Sequence, residues 1–175
     1  MVRDMATSRK ISRLPAINWL LIAAGVFLLL DVLFGYVLTP AAKWFAFLAD
    51  AVLAIAFLFL FLRGGRDLVL RLAYIVAAVG FAILAISDIA DLGSFVGRLG
   101  WILAGVGFVV AGILGFVRHV FSRNGDITFL IAGILFAIQA LTVVTSVAAG
   151  TVGVIGTIIF ALLLIATGAL RKGRR

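Results

Sequence analysis

The chain contains no cysteine and no glutamate, and its one histidine is His119. Without cysteine there is no disulfide, thiolate zinc site, iron–sulfur centre or cysteine nucleophile. Charge is scarce too: 13% of the 175 residues are charged and 65% are hydrophobic, where soluble domains carry about 25% and about 45–50%. With a mean hydropathy of +1.32, such a chain cannot clothe a water-facing surface, and it belongs in a bilayer. Catalytic signatures are missing as well. No Gly-Lys-Ser/Thr follows any glycine, and neither a Gly-x-Ser-x-Gly elbow nor a paired-histidine motif occurs. The residues therefore predict a protein that is not an enzyme and that uses no metal or cofactor.

What the sequence has instead is long apolar runs. A membrane helix needs roughly 20 apolar residues. Runs bounded by charge or turn residues give six, at 16–38, 42–62, 68–89, 96–117, 127–147 and 150–170. Thr39-Pro40 is read as closing the first run, and Arg118 to Asp126 as separating the fourth from the fifth. The uncharged stretch from Thr145 to Gly153 reads as a tight turn, because a single helix of 44 residues would cross the bilayer about twice. The expected fold is an all-α, polytopic bundle of six transmembrane helices over residues 16–170, with basic tails at 1–15 and 171–175. The first run exceeds the roughly 7–15 apolar residues of a signal peptide and contains Asp31, so it reads as an uncleaved helix.

The net charge of +8 is a topology signal. Of the fifteen Lys and Arg, thirteen fall in the two tails and around the second and fourth connections, and only Lys43 and Arg98 fall on the other side. The positive-inside rule then places both termini in the cytoplasm of a multi-pass protein of the plasma (inner) membrane. The bilayer is the expected partner, with anionic headgroups attracted to the basic side. Nucleic acid is not expected, because no basic domain stands clear of the membrane.

A repeat runs beneath the spans. Gly25, Gly80 and Gly133 sit early in the odd-numbered runs, Arg63, Arg118 and Arg171 end the even-numbered ones, and each glycine precedes its arginine by 38 residues. Both series are offset by 55 and then 53 residues, and Lys43 aligns with Arg98, Phe61 with Phe116 and Gly115 with Gly168. Three parallel helical hairpins, about 16–63, 68–118 and 127–171, are the expected organisation. The segments "AAGVFLLLDVLFGYVLTP", "LAGVGFVVAGILGFVRHV" and "IGTIIFALLLIATGALRKG" resemble the HdeD-like short-repeat membrane proteins. That resemblance implies six spans and a role in acid-stress resistance, with no catalytic residues. The chain departs from the family at Asp31 and Asp50, where apolar or small residues belong, and in lacking prolines after the third and fifth spans.

Asp31 and Asp50 are the candidates for chemistry. Counted from a turn near residues 40–41, both lie about 13 Å below the outer face on adjacent helices. A charge near the bilayer centre costs at least ~2.5–3.5 kcal/mol, so such groups face an interior, a cavity or a partner. A pair this close shares a proton, which makes it either a proton or cation site or a lock on helix packing. Gln139 occupies the position of Asp31 in the third repeat and is read as a structural, interhelical hydrogen-bond donor. Asp88, Asp91 and Arg98 read as a surface cluster at the outer face, and His119 as an interfacial residue. Trp19, Trp44 and Trp101 read as interfacial anchors, and the fifteen Phe as lipid-facing or packing surface. Two functions remain open. One is a non-enzymatic membrane protein, stress-related or a subunit of a larger assembly. The other is a small proton- or cation-coupled transporter or channel that uses Asp31 and Asp50, in which a homo-oligomer would help to enclose volume.

Overall fold

The structure, a computed structural model, describes residues 15–37, 39–63, 67–90, 92, 94–145 and 151–170. The described residues form six α-helices: α1 Pro15–Val37, α2 Thr39–Arg63, α3 Leu68–Ala90, α4 Ser94–Arg118, α5 Arg123–Thr145 and α6 Thr151–Leu170. All six are long and apolar enough to cross a membrane, and no strand occurs among the described residues. The protein is an all-α, multi-pass membrane protein. One end of the bundle carries the start of α1, the end of α6 and the α2–α3 and α4–α5 connections; it is called here the basic end, and the other the far end.

Local chemistry fixes where the helices begin. Pro40 does not close α1; it lies in the first turn of α2, where its missing N–H costs nothing because that group has no intrahelical partner. Helix α1 therefore ends at Val37 and α2 begins at Thr39. Helix α3 is capped by Asp67, whose Oδ1 accepts from the amides of Val69 at 3.1 Å and Leu70 at 3.3 Å. The other Asp67 oxygen pairs with Arg118 at the end of α4. Helix α5 starts at Arg123, four residues before the apolar run, because polar groups organise its first turn. Ser122 Oγ accepts from Gly125 N at 3.2 Å, and Asp126 Oδ1 accepts from Phe121 N at 2.7 Å. His119 turns the chain out of α4 with φ at 51°, and its Nδ1 lies 3.8 Å from Asp126 Oδ2.

Each helix packs against the next, and α1 closes on α6, so the six form a ring. Two seams depend on glycine. A Cβ on Gly80 would collide with the Ala104 backbone and one on Gly107 with the Ala77 backbone, so α3 and α4 approach more closely than any larger side chain permits. Across the α1–α6 closure, a Cβ on Gly25 would lie 2.6 Å from Ala161 O, and one on Gly168 would lie 2.6 Å from Asn18 O.

The aligned glycines do not occupy equivalent seams. Gly25 and Gly133 face the last helix of the preceding hairpin, whereas Gly80 faces its own partner α4. Burial explains the difference. Positions 17, 21, 24 and 25 of α1 and 125, 129, 132 and 133 of α5 are buried alike, but α3 buries 73, 77, 80 and 81, one residue further round. In the even helices Ala49, Leu53, Ala56 and Leu60 are buried, as are Ala104, Phe108, Ala111 and Gly115 at the same spacing.

The middle of the ring is aromatic. Phe57, Phe81, Phe108, Phe129, Phe136 and Phe160, from five helices, are each no more than 3% exposed. Phe108 alone contacts the other five, with ring centroids 4.8–6.2 Å apart. Many phenylalanines are therefore the core and not lipid-facing surface. Trp101 also turns inward, stacking on Phe136 at 5.0 Å, while Trp19 and Trp44 stay about 60% exposed. Residues such as Leu33, Leu62, Val106 and Leu141 cover the outside of the ring, where lipid replaces water as the solvent.

Candidate functional site: an acidic stair at the far end

The inward stripe of each helix repeats about every seven residues. Asp31 lies seven residues beyond Ala24, Asp50 seven beyond Phe57, and Asp88 seven beyond Phe81, and all three of these lower residues are fully buried. Each aspartate is thus the next step of a stripe that faces the middle of the ring. Gln139 stands in the same relation to the buried Ala132 on α5.

Counted along its own helix from the basic end at 1.5 Å per residue, Asp88 stands at about 30 Å, Asp31 at about 24 Å and Asp50 at about 20 Å. The stacking of Phe34 on Phe45 at 5.0 Å sets residue 31 level with residue 48, so Asp31 and Asp50 differ by about 3 Å in depth. The three carboxylates form a stair on α1, α2 and α3, descending from the far end towards the phenylalanine core. Asp50 lies in the electrostatic field of both Asp88 and Asp31, and Asp31 acts on Asp88. All three are half-buried. The Oδ2 atom of Asp88 is shielded from solvent and makes no hydrogen bond.

A cleft of about 450 Å³ opens beside the top step, lined by Pro40, Lys43, Trp44, Asp88 and Ile89. Lys43 lines the same cleft as Asp88 and forms no ion pair with it or with Asp50 among the described residues. No group of three acidic or histidine side chains among the described residues is close enough to hold a metal ion.

Comparison with protein-family models, curated proteins and solved structures found no match to this chain.

The remaining candidates fall elsewhere. Asp91 lies outside the described residues. Arg98 is exposed and makes no ion pair with Asp88 among them. Gln139 donates from Nε2 to Thr157 Oγ1 at 3.2 Å and to Gly153 O at 3.3 Å, tying α5 to α6 at the level of Asp31. His119 is held near Asp126, which is 1% exposed. A second polar layer, which the sequence reading missed, sits at the basic end. It comprises Asp126 and the pair Thr167–Thr128, whose Oγ1 atoms hydrogen-bond at 2.8 Å. The sequence reading placed Asp126 in the connection, and only the start of α5 at Arg123 brings it into the first turn of a helix.

Proposed function

We propose that the protein is a non-enzymatic membrane protein that takes up protons from the far end through Asp88, Asp31 and Asp50. The observation that carries this reading is the stair itself: three carboxylates on three consecutive helices, each on an inward stripe, each within the field of another. Like charges so placed in low dielectric repel strongly, and proton binding relieves that repulsion at the lowest structural cost. By the positive-inside rule the basic end faces the cytoplasm and the stair opens outward. The resemblance to HdeD-like proteins, linked to acid stress, is consistent with a site that responds to external acid. The recurrence of buried positions in α2 and α4 supports three related hairpins, with α3 turned by one residue.

The test is proton binding by the protein in reconstituted vesicles after an external acid step, read with an external pH dye in weak buffer as protons lost from the bulk. Wild-type protein should take up protons, and Asp31→Asn and Asp50→Asn should each take up measurably fewer while eluting as folded protein. Normal uptake by both variants would refute the proposal. A packing lock, the competing reading, predicts lost stability with unchanged uptake.

A further inference from the structure

We infer that the six buried phenylalanines form a hydrophobic gate between two polar half-paths; this rests on the proton-uptake reading above. Three layers follow one another along the ring. The acidic stair descends to about 20 Å from the basic end, where Asp50 stands level with Phe81 and Phe136. Phe108 and Phe160 follow at about 15 Å, and Phe57 and Phe129 at about 9 Å. Below them, within about 7 Å of the basic end, lie Asp126, Thr128 and Thr167. Asp126 and Thr167 are the buried polar side chains of the described core, and both stand on this side of the aromatic layer.

The aromatic layer is continuous. Phe57 contacts Phe81, Phe108 and Phe129, and Phe136 contacts Phe81, Phe108 and Phe160, all within 6.2 Å between centroids. The plug is about 11 Å thick; the Tyr74 hydroxyl, on a fully buried ring against Phe57, lies at its basic-end edge, and above that edge the packed phenylalanine rings offer no chain of hydrogen-bonding groups for a proton to follow. Constrictions of this kind gate by excluding water. Phe108 is the keystone, because every other ring of the plug touches it. The Asp50 stripe runs directly into Phe57, so the stair is blind at its lower end and protons entering from the far end stop at Asp50. Opening would require Phe108 and Phe57 to part, which joins Asp50 to Asp126.

The gate is tested by shortening the keystone. In vesicles carrying a pH gradient, Phe108→Ala should leak protons where the wild type does not, and Phe108→Leu, which keeps most of the volume, should stay closed. The leak should vanish in Phe108→Ala/Asp50→Asn. A folded Phe108→Ala that holds the gradient as the wild type does would overturn the gate. The two readings fail separately. Loss of uptake in Asp50→Asn with a tight Phe108→Ala removes the gate and leaves the stair. A Phe108→Ala leak indifferent to Asp50→Asn removes the stair as the route.

Should Phe108→Ala not fold, the cysteine-free chain offers a second measurement. Ser87→Cys, beside the stair, should react with a charged maleimide from the far end alone, and Thr128→Cys from the basic end alone. Labelling of either cysteine from both ends would contradict a closed gate.

Discussion

At the scale of single residues, the aspartates and Gln139 owe their roles to position on a stripe. Asp31, Asp50 and Gln139 were legible in the sequence because a polar group inside an apolar run stands out against its neighbours. Asp88 was not, because it lies near a helix end, where charged residues commonly meet water; only its seven-residue spacing from Phe81 reveals the shared face. Gln139 makes a different kind of contribution from the aspartates. Its two hydrogen bonds join helices that meet in lipid, where such bonds average about 0.6 kcal/mol and reach about 1.7. Gln139→Leu should therefore cost about 0.5–2 kcal/mol in reversible unfolding from bicelles, and leave proton uptake intact. An unchanged stability would show that Thr157 and Gly153 find other partners.

At the scale of elements, helix number and the membrane class follow from hydropathy alone, but helix ends and helix rotation do not. Pro40 reads equally well as the end of one helix or the first turn of the next, and backbone geometry decides for the second. The start of α5 at Arg123 depends on Asp126 reaching back to the Phe121 amide, a contact hidden from any count of apolar residues. Glycines illustrate the same limit. Gly107 and Gly153 both fall in small-residue patterns in the sequence, yet a Cβ on Gly107 would strike the Ala77 backbone while one on Gly153 would meet nothing within 4 Å. Gly107→Ala should lose about 1–3 kcal/mol or more, since backbone on both sides must move. Gly153→Ala should be neutral or slightly stabilising, since alanine restricts the unfolded chain and suits a helix. Equal effects in thermal denaturation of the two variants would contradict the seam between α3 and α4.

At the scale of the whole molecule, the ring combines a polar far end, an aromatic middle and a small polar layer at the basic end. This layering escaped the sequence reading because phenylalanine suits both lipid and core, and no run of residues announces which way a ring points. Once the helices close into a ring, stripes from five of them meet, and the scattered phenylalanines become one plug. The same closure turns separate aspartates into a stair. Joint proton uptake by these three carboxylates is read directly by infrared difference spectroscopy of the protein in nanodiscs. On acidification the wild type should gain carbonyl bands of protonated carboxyl groups in a low-polarity setting. Those bands should fall in Asp31→Asn, Asp50→Asn and Asp88→Asn and disappear when all three are combined. An identical spectrum from the wild type and the combined variant would contradict the account.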